Sequence, residues 1–118
     1  MKRVACVIVI ALTAAAGAAA KQGAEAHLLA ALPKHAVPGT YVVVRWSVDV
    51  PGPNGTREGL SAIGMFVRLV GSWGASTTAM SRENAGPPYS VRVRVPRGGI
   101  RGVRFGVAGS TPLYFPLK

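Results

Sequence analysis

The 118-residue sequence contains one cysteine, four acidic residues and two histidines. The cysteine, Cys6, lies inside an apolar N-terminal stretch, so the rest of the chain has no thiol. This excludes a disulfide-stapled miniprotein. The sequence also has no Gly-x-Ser-x-Gly nucleophile elbow and no Gly-x-x-x-x-Gly-Lys-Ser/Thr phosphate loop. With so few histidines and carboxylates to act as general base or acid, we expect no enzymatic activity.

The N-terminus has the pattern of a secretory signal peptide. Basic residues at positions 2 and 3 precede an apolar run, and small residues follow it. The run over 4–20 is too short and too rich in alanine for a membrane-spanning helix, which needs about 20 strongly apolar residues. Cleavage after Ala20 would make residues 1–20 the signal peptide, and the alternative site after Ala26 would make His27 the first mature residue. We expect an exported protein, secreted or periplasmic, with no transmembrane segment after cleavage.

The remainder of the chain has the pattern of an all-β domain. It has no long apolar pattern of helical period, and glycine and proline separate strand-like segments at short intervals. The clearest segment, Thr40 to Val48, alternates so that one face carries Val42, Val44, Trp46 and Val48. About seven such segments predict a single immunoglobulin-like β-sandwich over 27–118.

Two turns are predicted from glycine positions. Gly71–Gly74 is expected to be the turn of a β-hairpin, and Gly98-Gly99 the turn of a second hairpin between strands 89–95 and 103–107. Trp73 in the first turn either folds back as a cap over the end of the sandwich or is exposed as a contact residue.

The formal net charge is +10. A positive balance of this size attracts anionic partners, although a GC-rich coding bias together with solubility would give a similar composition. Arginines flank the second predicted hairpin and form a candidate basic strip: Arg92, Arg94, Arg97, Arg101 and Arg104. An anionic envelope component or another exported protein is the expected partner. Nucleic acid is not expected, because exposed aromatic residues are not interleaved with the strip for base stacking.

No cofactor is expected, and copper is the one alternative. His27 and His35 lack the spacing of a zinc finger, an EF-hand or an HExxH helix. If cleavage after Ala26 made His27 the N-terminus, its amine and imidazole would chelate Cu(II). His35 or Asp49 would then complete a tetragonal site of nitrogen and oxygen ligands.

The order of the strand motifs resembles a known family of exported domains. The motifs are Val44-Arg45-Trp46, Phe66-Val67-Arg68-Leu69, and Tyr89-Ser90-Val91-Arg92-Val93 leading to Val95-Pro96 and Gly98-Gly99. Over about residues 37 to 107 the chain is similar to YtkA-like domains, small bacterial immunoglobulin-like sandwiches related in shape to CopC-like copper carriers. The resemblance implies structural roles for Tyr89 through Gly99. The Met- and His-rich ligand loops of a copper carrier are absent.

These observations predict an exported, non-catalytic β-sandwich module of the cell envelope, with a binding or structural role and a basic surface strip. The alternative prediction is a periplasmic copper-binding carrier that uses an N-terminal histidine.

Overall fold

The chain folds into strands joined by short connections. The computed structural model describes residues 23–82 and 86–118, so the predicted signal peptide and Cys6 lie outside the described residues. The described strands are β1 (Glu25–Leu28), β2 (Tyr41–Pro51), β3 (Arg57–Gly59), β4 (Met65–Val70), β5 (Ser76–Met80), β6 (Tyr89–Arg94), β7 (Gly102–Val107) and β8 (Leu113–Phe115). Pro53–Gly55 forms a short 3-10 turn between β2 and β3.

Two antiparallel sheets form a β-sandwich. In the first sheet the long strand β2 pairs with β1, β3 and β6, and in the second sheet the strand order is β5-β4-β7-β8. This division of strands confirms the predicted all-β, immunoglobulin-like sandwich. The parallel bridge between Ala26 and Leu117 joins the C-terminal segment to β1. No helix within the described residues is long and apolar enough to cross a membrane.

The core follows the alternation of the strands. Val44, Trp46 and Val48 are fully buried on the inner face of β2, as the pattern predicts. The Trp46 ring stacks at centroid distances of 5.4 Å on Tyr89 and 5.0 Å on Phe105, so aromatic contacts join β2 to β6 and to β7 of the opposite sheet. The inner faces of the other strands complete the core with Ala26, Met65, Val67, Leu69 and Val93.

The predicted hairpin around Gly98-Gly99 is wrong. β6 pairs with β2 in the first sheet and β7 pairs with β4 in the second, so residues 95–101 cross from one sheet to the other. The turn itself is present, because Gly98 and Gly99 both have positive φ and the N–H of Gly99 donates to the carbonyl of Pro96 at 3.0 Å. The hairpin over Gly71–Gly74 is confirmed by the antiparallel pairing of β4 with β5.

Alternating strand directions bring three connections to one end of the sandwich. These are residues 29–40, 71–75 and 95–101, which we call the loop end. The Ser72 N–H donates to the Arg97 carbonyl and the Gly39 N–H donates to the Val95 carbonyl, both at 2.9 Å. Residues 95–101 therefore lie between the other two connections and contact both.

Candidate binding surface

The central connection of the loop end requires glycine. Gly98 has φ of +85°, in the left-handed region that side chains other than glycine rarely adopt. A Cβ at this position would overlap the side chain of Ser72, and a Cβ at Gly71 would overlap the carbonyl oxygen of Arg97. The glycines thus let the 71–75 and 95–101 connections pack against each other, which fixes the positions of the basic side chains on them.

The loop end and its margin carry exposed cations. Lys34, Arg97 and Arg101 lie on the connections, and Arg94 ends β6 beside them. No acidic residue occurs in 29–40, 71–75 or 94–101. Among the described residues, the salt bridges are confined to Glu25 and Asp49 with His27 and Arg57. The positive charge of the loop end is therefore not neutralised by a described carboxylate.

The predicted five-arginine strip is divided between two faces. Arg92 and Arg94 project from the outer face of the first sheet, where the Arg92 guanidinium lies 4.8 Å from the ring centre of Tyr41. Arg104 lies on the outer face of the second sheet, with its guanidinium 3.7 Å from the ring centre of Tyr114. The division follows from the placement of β6 and β7 in different sheets. Arg97 and Arg101 lie on the connection between those strands.

Trp73 does not fold back onto the sandwich. Its side chain is 90% exposed at the tip of the β4–β5 hairpin. Trp73 and Gly74 have φ of 57° and 75°, and the Ala75 N–H donates to the Ser72 carbonyl at 2.9 Å. This is the geometry of a type I′ turn, in which both central residues have positive φ. Of the two alternatives, the structure places Trp73 as an exposed residue.

Two other parts of the loop end were missed by sequence reasoning. Lys34 to Pro38 and Gly98 to Arg101 line a shallow groove. Val37, one of the residues that line the groove, is 61% exposed. No local signal in 33–40 predicts this proximity, because it depends on the fold bringing residues about sixty positions apart into contact.

A second polar cluster lies at the opposite end of β2. The Nε2 atom of His27 lies 2.8 Å from Oδ2 of Asp49. The Arg57 guanidinium donates to Oδ1 of Asp49 and to the Gly23 carbonyl, and it approaches Oε1 of Glu25 at 3.5 Å. One possible ligand atom from each of Glu25, His27 and Asp49 falls within 4.8 Å of the others.

Of the predicted copper ligands, the structure brings His27 and Asp49 together but not His35. His35 lines the groove at the loop end, beyond the start of β2, whereas Asp49 lies near the end of that strand. The eight residue steps from Tyr41 to Asp49 correspond to about 26 Å along an extended strand. Glu25 takes the third place beside His27 and Asp49. This neighbour could have been proposed from the i, i+2 spacing of Glu25 and His27 on one strand face.

Comparisons with protein-family models, curated proteins and solved structures found no match for this chain. The resemblance to YtkA-like and CopC-like domains therefore stays a prediction.

Proposed function

We propose that this protein is an exported, non-catalytic module of the cell envelope that binds an anionic partner through its loop end. The observation that carries the proposal is the separation of charge. The described acidic residues, Glu25, Asp49 and Glu58, lie on β1, near the end of β2 and on β3 respectively, away from the loop end. The loop end carries Arg97 and Arg101 without a described carboxylate beside them.

The positions of these arginines suit recognition of phosphate or carboxylate groups. A guanidinium presents a planar fork of N–H donors that matches both groups. Arg97 and Arg101 are exposed, and they lie on a connection whose backbone is held by hydrogen bonds to residues 71–75 and β4. Ligand binding would then require ordering of the side chains but little ordering of the backbone, which lowers the entropic cost of association.

A paired charge-reversal experiment tests the proposal. Arg97 and Arg101 are changed to Glu in one variant, and Arg82 and Lys118, which lie toward the opposite end of the sandwich, are changed to Glu in a control of equal charge. Binding to an isolated envelope fraction is measured across a salt series. We expect the first variant to lose about thirty-fold or more in affinity, from about 1 kcal/mol per basic residue near an anionic surface, and the control to lose much less. Equal losses in the two variants would show that net charge, not the loop end, determines binding.

The copper-binding carrier is the second candidate, and the contact between His27 and Asp49 favours it. An imidazole nitrogen and a carboxylate are ligands that Cu(II) accepts, and cleavage after Ala26 would add the His27 amine while removing Glu25. The cluster already holds a cation, because the Arg57 guanidinium contacts both carboxylates. Copper would have to displace it. The cleavage site after Ala26, which this candidate needs for an N-terminal His27, falls inside β1, where Ala26 is fully buried and pairs with Val48.

Two histidine variants test the copper candidate. The length of the natural protein is first fixed by intact mass, and Cu(II) is then titrated against it with detection by visible absorption. The carrier hypothesis predicts that His27→Ala abolishes binding and that His35→Ala, at the opposite end, leaves it unchanged. An absence of Cu(II) binding in the naturally processed protein would reject this candidate.

A further inference from the structure

We propose that the anionic partner is a phospholipid surface, which the loop end contacts by inserting Trp73 among the headgroups. This inference rests on the proposed function, since it assigns a ligand class to the same basic surface. The observation that points to lipid is the position of Trp73. Its side chain contributes nothing to the core and lies at the tip of a hairpin beside the exposed arginines.

The conformation of Trp73 supports a role in contact. Its φ of 57° is one that asparagine or glycine adopts readily and that a bulky side chain adopts only with strain. The ring is 90% exposed, so no burial within the described protein offsets that strain. Tryptophan is a favoured residue at membrane interfaces, because its indole has a large apolar body and one polar N–H.

The surroundings of Trp73 have the charge and polarity of a lipid-binding surface. Residues 71–75 contact the connection that carries Arg97 and Arg101, and the third connection of the loop end adds Lys34 and the 61% exposed Val37. Basic residues beside an anionic leaflet are attracted to its phosphates, and the attraction falls off within a Debye length. The flanking cations therefore match the phosphates of the lipid headgroups, and the apolar ring of Trp73 matches the boundary between the headgroups and the acyl chains.

A sugar polymer fits the same surface less well. Sugar hydroxyl groups both donate and accept hydrogen bonds, so a sugar platform needs acceptors as well as donors beside the aromatic ring. The connections 29–40, 71–75 and 95–101 contain no Asp, Glu, Asn or Gln side chain. Their charged side chains, those of Lys34, Arg97 and Arg101, only donate. A phosphate-rich surface supplies acceptors to match them.

The test uses the naturally processed protein, with the same N-terminus in every variant, and two probes. Vesicles of phosphatidylcholine with phosphatidylglycerol present an anionic lipid surface, and inorganic polyphosphate presents anionic charge without lipid. Vesicles of phosphatidylcholine alone are the uncharged control. The variants are Trp73→Asn, which suits the turn conformation, Trp73→Phe, which keeps a ring, and the Arg97→Ala/Arg101→Ala pair.

We expect Trp73→Asn to weaken binding to the anionic vesicles roughly ten-fold and to leave polyphosphate binding unchanged. Trp73→Phe should recover part of the vesicle binding. The arginine pair should weaken binding to both probes by about thirty-fold. Brominated lipids should quench Trp73 fluorescence, whereas Trp46 is fully buried and supplies an internal reference.

The outcomes separate this inference from the function on which it rests. Vesicle binding that is unchanged in Trp73→Asn, or fluorescence that brominated lipids do not quench, would overturn the membrane inference. Polyphosphate binding lost in the arginine pair would then still support an anion-binding loop end. If the protein bound neither probe in a salt-dependent manner, both the inference and the proposed function would be rejected.

Discussion

The hydroxyl of Tyr89 offers a quantitative test of how the two sheets are held together. This side chain is 1% exposed at the start of β6, and its ring stacks on Trp46. The hydroxyl donates to the Leu60 carbonyl at 2.7 Å and accepts from the Ala62 N–H at 3.2 Å. It thereby fixes the segment that leads from β3 in the first sheet to β4 in the second. The substitution Tyr89→Phe removes both hydrogen bonds and keeps the ring.

The expected cost follows from those two partners. Leaving a buried backbone group without a partner costs about 1–3 kcal/mol, and Leu60 and Ala62 are only partly buried. We therefore expect Tyr89→Phe to lower the free energy of unfolding by about 1.5 kcal/mol and the Tm by roughly 6–12 °C for a domain of this size. Urea unfolding followed by near-ultraviolet circular dichroism measures the change. Tyr41→Phe, at a 56% exposed ring, is the matched control and should change stability by less than about 0.5 kcal/mol.

The same hydroxyl makes the free energy of unfolding depend on pH in the alkaline range. Burial raises the pKa of Tyr89 above its ordinary value of 10.0, and the hydrogen bond from Ala62 opposes this with a smaller effect. Above pH 10 the unfolded chain loses the phenolic proton while the folded chain keeps it, so the unfolded state binds fewer protons and stability falls with pH. The contribution of Tyr89 to the free energy of unfolding is fully present below pH 10, and it is lost as the pH rises through the raised pKa of Tyr89 in the folded state. Tyr89→Phe should show a shallower alkaline loss than the wild type; equal slopes, or a variant as stable as the wild type at neutral pH, would refute the reasoning.

Three further changes have expected outcomes. Gly98→Ala should lower the free energy of unfolding by about 2–3 kcal/mol, because it adds overlap with Ser72 to the strain of positive φ. Gly55→Ala is the control: Gly55 also has positive φ, but nothing lies near its Cβ, so this variant should cost only about 1–2 kcal/mol. Similar losses in the two variants would contradict close packing at the loop end. Trp73→Asn should raise the thermal midpoint by a few degrees, from about 0.5–1 kcal/mol of relieved backbone strain. Asp49→Asn should lower stability by under about 1 kcal/mol in a urea titration, because its ion pairs are partly exposed.

Strand faces were the part of the fold that could be predicted from the sequence. The alternation over Thr40 to Val48 identifies the buried side of β2, and the corresponding pattern identifies the buried side of β6. The alternation of Ile63, Met65, Val67 and Leu69 would extend the buried face of β4 back to Ile63, but β4 begins only at Met65 and Ile63 is 44% exposed. The strand β3 (Arg57–Gly59) was not predicted, because its three residues are all exposed and give no alternation.

The sheet to which each strand belongs could not be predicted from the same patterns. A turn with glycines between two alternating segments fits a hairpin and a crossing between sheets equally well, since both need the same local backbone freedom. The choice is made by pairing with distant strands: Val93 of β6 pairs with Val42, and Phe105 of β7 pairs with Val67. The candidate arginine strip depended on that choice. Because β6 and β7 lie in different sheets, the five arginines do not form one strip, although each of them is exposed as predicted.

The composition of the loop end is a consequence of strand direction. Because β1, β4 and β6 all run toward this end, the segments that follow them meet there, although Lys34, Trp73 and Arg97 are far apart in the sequence. The start of β1 and the end of β2 lie at the opposite end, so Glu25 and Asp49 are carried away from these cations. Basic residues that are distant in the sequence thus lie beside one exposed tryptophan, at the end of the sandwich away from Glu25 and Asp49. A GC-rich coding bias would give a similar number of arginines, but it does not determine which side chains the fold brings together beside Trp73.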